Sequence, residues 1–518
     1  MAPSLAKHVG CDVVDINPGN GLWSSKIHDF LKPRTHILLE PDYPAYASFL
    51  DPLLQAEGST YQLFPKSGTT WAHLQKAILP ENLPHQTVLK RGDERLHQPN
   101  DTLLLIANLA YNPVKPYRGF KSLTQLVLYQ LLSAVRTHSL VHQYGLVRML
   151  IWIAHEDKRS ILTEGISKRK KGTVEAEITC GTILDVADTF PETHHHRVPV
   201  LGRDLDLVFQ SSLATLGRMK EAGIEIPEHR QGPLQKETMQ LIESAASESD
   251  YPNLIEKYKF ANMKKKKKKG QSPHDEESGP PAQLIRSKSP RYLESIAKFE
   301  ALSEMQERLN SSTASPEEKR EQQDVIDREF RLWEDLVHSG SHLSTMSIML
   351  SIENKRALKA NPPVAIWDRR ESEPLKINPM ELAPQSEACL IDFRPKPLWP
   401  VLREDPLAWE NLEFILGCLF SVPTQSLKNA LKSLPPGAYE WIVPRCPSLT
   451  DPEKGGAMKL EAMTPRGLSE PIYEEILNAW MDWPFKPDRY QLMKLTGVGY
   501  DPEEAAEKFE KGGVEGMR

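Results

Sequence analysis

The sequence predicts an α/β protein with a doubly wound, largely parallel sheet. Between residues 11 and about 210, short apolar runs bounded by turn residues alternate with helical stretches, as expected of parallel strands joined by helices. Apolar side chains at helical spacing mark two of these helices, in residues 22–31 and 123–135. A ligand of such a sheet is expected at the carboxyl ends of the strands. The predicted strands are Val13–Ile16, Ile37–Glu40, Tyr61–Phe64, Leu103–Ala107 and Arg148–Ala154.

The 518 residues divide into five predicted parts. Residues 1–235 form the α/β domain, and residues 236–290 form a polar linker that contains Lys264–Lys269 and is rich enough in helix breakers to be disordered. A helical insertion is predicted at 291–380, a helical C-terminal domain at 381–500 and a charged tail at 501–518. The clearest helices of the C-terminal domain are Trp409–Phe420 and Thr424–Leu434.

Composition narrows the class of protein. The net charge is −6, and five widely spaced cysteines without a C-x-x-C pair indicate neither a disulfide framework nor a zinc ribbon. No apolar run approaches the roughly 20 residues that span a bilayer, so no membrane partner is expected. His194-His195-His196 are adjacent and have no distant carboxylate or thiolate partner, so we interpret them as surface residues and predict no metal site.

The first chemical motif is the turn Asn17-Pro18-Gly19-Asn20-Gly21, which follows a buried strand and begins a helix. Small turn residues let the backbone approach a ligand closely. Glu40 follows Gly21 by 19 positions and ends the next strand, where a carboxylate can bond both ribose hydroxyls of an adenosine cofactor. The alternative is an ordinary strand–turn–helix of an α/β protein.

The second motif is Asn108-Leu109-Ala110-Tyr111, directly after the fourth predicted strand. An enzyme that acts on an exocyclic base amine needs an acceptor to orient the amine and an aromatic face on which to stack the base. Asn108 and Tyr111 supply both. The alternative is a turn that merely closes a strand.

In this order, the two motifs resemble the rRNA adenine N6-dimethyltransferase family, and most closely its fungal mitochondrial transcription factor B branch. Residues 412–420 followed by 427–431 resemble the helix pair of that family's small C-terminal domain. The resemblance covers roughly residues 11–210 and 380–490. It implies the class I S-adenosylmethionine-dependent methyltransferase fold with a small helical C-terminal domain.

The resemblance also implies roles for single residues. Asn17 and Gly19 would line the methionine end of S-adenosyl-L-methionine, Gly21 would also belong to the cofactor site, and Glu40 would bond the cofactor's ribose. Asn108, beside the cofactor, would hold the target adenine amine, and Tyr111 would stack on the base. Methyl transfer from the sulfonium to N6 would be in line and would rest on positioning, without a metal.

The sequence departs from the family pattern at several positions, which weakens the expected grip on cofactor, base and RNA. The ten residues before Cys11 hold neither the family's segment that covers the cofactor nor an Arg-rich presequence, so we expect a longer start or an internal import signal. The other departures are Ser67-Gly68 for an acidic residue, Ala110 for a proline, Leu382 for a phenylalanine and Val422-Pro423-Thr424 for a basic triplet.

The sequence therefore favours a monomeric mitochondrial transcription initiation factor. It would bind RNA or single-stranded promoter DNA through Tyr111, Tyr117, Lys115, Arg118 and Lys121, and it would bind the mitochondrial RNA polymerase. The alternative is an active enzyme that dimethylates adenines of the mitochondrial small-subunit rRNA. A third reading, a methyltransferase with an unrelated substrate, is disfavoured by the C-terminal helix pair.

Overall fold

The computed structural model describes residues 2–112, 115–117, 120–190, 203–245, 247, 250, 251, 253–255, 290–452 and 454–495. The chain forms two compact units, Met1–Leu398 and Trp399–Arg518. Lys264–Lys269, His194–His196, Arg118 and the tail 501–518 lie outside the described residues. Within the described ranges, every helix is too short or too polar to cross a membrane.

The first unit is built on one eight-stranded sheet of order β3-β2-β1-β4-β5-β8-β6-β7. Neighbouring strands are parallel except where β8 pairs with β5 and β6. The order of the first five strands is that of a doubly wound sheet, with the switch point between β1 and β4. The predicted fold class is confirmed. The strands are β1 Asp12–Ile16, β2 Thr35–Leu39, β3 Tyr61–Phe64, β4 Pro99–Asn108, β5 Leu146–Ala154, β6 Cys180–Asp188, β7 Leu375–Lys376 and β8 Ala388–Pro395.

Helices cover both faces of this sheet. All five residues of β1 and of β2 are buried, as is typical of parallel strands with a helical layer on each side. Val13 packs with Ile27 on one face, and Val14 packs in the cluster that contains Leu128 on the other. The helices of this unit are α1 Ala2–Leu5, α2 Leu22–Leu31, α3 Tyr43–Gln55, α4 Trp71–Ala77, α5 Leu123–Thr137, α6 His155–Lys158, α7 Lys171–Thr179, α8 Leu205–Glu221, α9 Pro233–Glu243, α10 Pro290–Ser311, α11 Pro316–His338 and α12 His342–Lys359.

Strand β8 changes the predicted division of the chain. It lies within residues 381–500, where the sequence predicts a helical domain, yet it sits in the sheet between β5 and β6. Asp392 interrupts the apolar run of β8, so hydrophobic periodicity does not predict this strand. In the structure the Asp392 carboxylate is buried and accepts two hydrogen bonds from the Arg148 guanidinium, at 2.8 and 2.6 Å. Residues 189–387, which include α8 to α12 and the short strand β7, therefore separate β6 from β8 along the sequence, and the first unit extends to Leu398.

The second unit is helical in its described part, as predicted. Its helices are α13 Pro400–Glu404, α14 Ala408–Leu419, α15 Leu427–Lys432, α16 Ala438–Ile442, α17 Glu470–Met481 and α18 Arg489–Leu495. The fully buried Trp480 of α17 packs against Phe414 of α14 and donates its indole N–H to the Asn411 side chain at 2.8 Å. The predicted helix pair corresponds to α14 and α15.

Candidate site at the carboxyl edge of the sheet

The switch point of the sheet brings the predicted site residues together. Asn17 follows β1, Glu40 follows β2, and Asn108 ends β4, so all three lie at the carboxyl edge of neighbouring strands. The Asn17 side-chain amide donates a hydrogen bond to the Asn108 carbonyl oxygen at 3.1 Å. The two sequence motifs therefore form one site.

The turn after β1 requires its small residues. Asn17, Gly19 and Gly21 have φ angles of 57°, 61° and 71°, a left-handed region that favours glycine and tolerates asparagine. A Cβ atom on Gly21 would lie 2.9 Å from the Leu50 Cδ2 atom, so the turn also packs directly on α3. These contacts hold the turn in one shape close to the strand ends.

Glu40 is held inside the site by backbone groups. The side chain is only 3% exposed, and its two carboxylate oxygens accept the N–H groups of Gly19 at 2.8 Å and of Asp42 at 2.9 Å. Burial raises the pKa of Glu40, and these two hydrogen bonds oppose the shift. Because each carboxylate oxygen has a second acceptor position, a ribose hydroxyl can still be bound.

The site residues match one end of S-adenosylmethionine better than the other. The Asn17 Oδ1 atom is buried and has no hydrogen-bond partner within the described part of the chain, so it offers an acceptor to an ammonium group. At the position where the resemblance implies an acidic residue for the opposite end, the Ser67 hydroxyl pairs with that of Thr69 at 2.8 Å, and Gly68 packs on the Ile16 side chain. Neither residue supplies a carboxylate for the cofactor's adenine amine.

Asn108 and Tyr111 occupy the β4 side of this site. The Asn108 Oδ1 atom accepts the Ala110 N–H at 3.2 Å, which orients the amide. Tyr111 is 47% exposed. Burial raises the pKa of Tyr111, and Glu40, Asp42 and Tyr46 act in the same direction, so its phenol faces the acidic side of the site.

Tyr46 is a site residue that the sequence did not predict. A Cβ atom on Gly19 would lie 3.9 Å from the Tyr46 Cζ atom, so the tyrosine ring borders the turn. Tyr46 lies in the first turn of α3, which begins just after Glu40. In the sequence, Tyr46 could have been found as the aromatic residue one helical turn into α3, the helix that follows Glu40.

The described part of the connection from β4 to α5 holds exposed basic and aromatic residues. Lys115, Tyr117 and Lys121 are all exposed, and Tyr117 and Phe120 exchange two backbone hydrogen bonds of 2.9 Å. From Thr102 to His155 the sequence contains no aspartate or glutamate. This stretch therefore contributes aromatic rings and cations and no carboxylate of its own, while Glu40 and Asp42 lie on the Tyr111 side of it.

A buried carboxylate anchors the end of this connection. Asp157, which follows β5, accepts the Ser122 hydroxyl at 2.7 Å and the Gln125 side-chain amide at 3.1 Å. Thr124 donates its hydroxyl to the Leu109 carbonyl at 3.1 Å, which ties the start of α5 to the end of β4. Burial raises the pKa of Asp157. The exposed residues between Leu109 and Ser122 are thus held at both ends.

The described residues before β1 contact the amino ends of the parallel strands. Arg148, near the start of β5, donates to the Ser4 carbonyl at 2.7 Å. His8 Nδ1 hydrogen-bonds to the Asp101 carbonyl, near the start of β4, at 2.9 Å. Because the amino ends of β4 and β5 are opposite the candidate site, Ser4 and His8 do not cover it.

Comparison with known proteins identifies one relative of the sequence. No protein-family model matches the chain. Over 173 residues the chain is 27% identical to Mitochondrial transcription factor 1 of Saccharomyces cerevisiae, a match that covers 33% of this chain and 46% of the relative. The chain thus spans less than half the length of this relative. The match confirms the resemblance to the mitochondrial transcription factor B branch of the rRNA adenine dimethyltransferase family.

The fold can also be set beside that of a solved structure. The crystal structure of a dimethyladenosine transferase from Plasmodium falciparum aligns with 49% of this chain and 95% of its own length, at 13% sequence identity and a TM-score of 0.23.

Proposed function

We propose that this chain, a relative of the mitochondrial transcription factors of the dimethyltransferase family, acts as a mitochondrial transcription initiation factor. In this role it binds RNA or single-stranded promoter DNA at the carboxyl edge of its sheet and assists the mitochondrial RNA polymerase in promoter recognition and melting. The mitochondrial location is proposed from the yeast relative, whose name is that of a mitochondrial transcription factor, and the polymerase partner is proposed from the family resemblance of the sequence.

The β4–α5 connection is the observation that carries this proposal. Exposed Tyr111 and Tyr117 offer faces for stacking bases, and Lys115 and Lys121 offer charges for phosphates. The stretch without carboxylates from Thr102 to His155 favours a polyanion over a neutral ligand. Aromatic rings interleaved with cations are typical of surfaces that bind single strands without strict sequence preference.

The alternative function is S-adenosylmethionine-dependent dimethylation of mitochondrial small-subunit rRNA. The unpaired Asn17 Oδ1 and the spare acceptor positions of Glu40 favour it, because they match the ammonium and ribose of the cofactor. Asn17, Gly19, Gly21 and Glu40 would then bind the cofactor, which supplies the methyl group. Asn108 would hold the target amine, and Tyr111 would stack on the adenine. Ser67-Gly68 at the adenine end places this function second.

Binding of labelled 12-nucleotide single-stranded DNA and RNA, measured by fluorescence anisotropy, tests the proposal. We expect Tyr111→Ala to weaken binding about tenfold, because one stacked base is worth roughly 1–3 kcal/mol. Lys115→Gln should weaken it less and lower its salt dependence. The matched controls are Phe49→Ala and Lys26→Gln, which remove an exposed ring and an exposed cation from α3 and α2.

A second pair of measurements separates the two functions. The factor should raise promoter-dependent synthesis by the mitochondrial RNA polymerase, and Tyr111→Ala should reduce that stimulation. Micromolar binding of S-adenosylmethionine that Glu40→Ala abolishes, together with methyl transfer to rRNA, would instead establish the enzyme. A chain that neither binds single strands nor stimulates the polymerase is not an initiation factor.

A further inference from the structure

The outer face of α5 carries an exposed ring, Tyr129, which lies beside the half-buried ring of Phe120 from the preceding connection. The Phe120 and Tyr129 ring centroids lie 5.6 Å apart at an interplanar angle of 46°. The Arg136 Cζ atom lies 6.0 Å from the Tyr129 centroid. Tyr129 is 41% exposed. We call Phe120, Tyr129 and Arg136 the α5 platform.

Helical spacing and a fixed turn produce this arrangement. Tyr129 and Arg136 are seven residues apart and share one face of α5, while Val127, Leu128, Leu131, Ala134 and Val135 bury the opposite face in the core. Phe120 is positioned by its paired backbone hydrogen bonds with Tyr117. The hydrophobic core does not use the outer face of α5, so core packing does not explain the aromatic side chain at Tyr129.

The charge around the platform favours a polyanion. It lies within the stretch from Thr102 to His155 that contains no aspartate or glutamate, and the exposed Lys121 stands beside Phe120. The hairpin of α10 and α11 is a contrast within the same unit, because Pro290–His338 holds twelve acidic and seven basic residues. Aromatic rings beside cations, in a stretch that contributes no carboxylate, fit the bases and phosphates of a nucleic-acid strand.

We propose that the α5 platform is a second stacking site, which receives bases of a single-stranded nucleic acid whose neighbouring nucleotides lie along the β4–α5 connection. Tyr129 and Phe120 stack on bases, and Arg136 contacts either a base face or a phosphate. This inference rests on the proposed function and deepens it, because it gives the path of the strand beyond Tyr111 and Tyr117.

Substitution of Tyr129 tests the inference with the 12-nucleotide probes. Tyr129→Ala should weaken binding about tenfold, whereas Tyr129→Phe, which keeps the ring, should stay within about twofold of the unmodified chain. Arg136→Gln should reduce the slope of log affinity against log salt by about 0.7 if it contacts a phosphate. Phe49→Ala is the control for loss of an exposed ring, and circular dichroism checks the fold of each variant.

Photocrosslinking supports the test without any substitution. A probe that carries 5-iodouracil should crosslink to a peptide containing Phe120 or Tyr129, mapped by mass spectrometry; crosslinks confined to other elements would overturn the inference.

These experiments distinguish failure of the α5 platform from failure of the proposed function. If Tyr111→Ala weakens binding but Tyr129→Ala behaves as Phe49→Ala does, the strand does not pass over α5, while the proposed function stands. If Tyr129→Ala lowers only polymerase binding, the platform is a protein contact and the inference is wrong. A chain that fails to bind either single-stranded probe overturns both.

Discussion

Two regions at the same edge of the sheet differ in how their functional groups are satisfied. In the turn site the chain itself supplies the partners of Glu40, which is 3% exposed and accepts a backbone hydrogen bond on each carboxylate oxygen. In the β4–α5 connection and the adjoining face of α5, Tyr111 and Tyr129 are 47% and 41% exposed. The carboxylate of the first region is bonded within the protein, whereas the rings of the second region are exposed to solvent.

This difference separates stability from binding. If the buried Glu40 carboxylate is removed, the backbone N–H groups of Gly19 and Asp42 lose their acceptor. The turn site therefore contributes to the free energy of folding. An exposed ring contributes little to that free energy, and its retained surface is available to a ligand. We therefore expect substitutions in the turn site to act first on stability and substitutions in the connection to act first on binding.

The largest expected effect is that of Glu40→Ala. Removal of the carboxylate leaves the Gly19 and Asp42 N–H groups without their charged acceptor, so the free energy of unfolding should fall by about 3 kcal/mol. Urea denaturation measures it, and hydrogen exchange of β1 and β2 assigns the loss to this unit. Glu57→Ala, at an exposed glutamate after α3, is the control. Equal denaturation midpoints for the two variants would mean that Glu40 does not hold the turn.

Gly21→Ala should have the next largest effect. The new Cβ atom would stand 2.9 Å from Leu50 Cδ2 in a backbone with a φ of 71°, and left-handed backbone costs a non-glycine residue about 1–2 kcal/mol. We expect a loss of about 2 kcal/mol in the free energy of unfolding. Gly217→Ala in α8 meets no atom within 4 Å and should instead be neutral or slightly stabilising. A stable Gly21→Ala variant would show that the turn is more adaptable than its packing indicates.

Stability should also depend on pH. Burial lowers the pKa of His28 from 6.5 to about 4, and its neighbour His36, 3.0 Å away between the two Nδ1 atoms, acts in the same direction. Burial lowers the pKa of His142 to about 3. Between pH 6.5 and 4 the unfolded chain therefore binds protons that the folded chain does not, and stability falls as the pH falls through this window.

Urea midpoints between pH 7 and 4 measure that slope. His28→Gln should make it shallower, whereas His229→Gln, at an exposed histidine, should leave it unchanged. A slope that His28→Gln does not alter would place the pH dependence in other groups.

The turn site could be predicted from sequence because its signals are local. A buried strand, a glycine turn and a carboxylate at the next strand end follow each other within 30 residues, and the strand predictions for β1 to β5 agree with the structure to within a few residues. The parallel order of such strands then requires Asn17, Glu40 and Asn108 to meet at one edge. Their binding roles stay predictions until a ligand is measured.

Other features could not be predicted because they depend on distant partners. Strand β8 contains a buried aspartate whose partner, Arg148, lies 244 residues away. The exposure of Tyr129 and its distance from Phe120 depend on how α5 packs and on the Tyr117–Phe120 turn. Hydrophobic periodicity identifies which face of a helix is outward, but it does not identify which exposed rings come together.

Local chemistry thus decided the positions of the first five strands, the glycine-containing turn and the carboxylate at the next strand end, because strand periodicity and glycine turns are properties of short segments. Tertiary packing decided that β8 completes the sheet, that Glu40 is enclosed by backbone donors and that the β4–α5 connection faces outward. Burial and hydrogen-bond satisfaction are set by groups brought together from far along the chain, so only the folded molecule distinguishes an inward site from an exposed one.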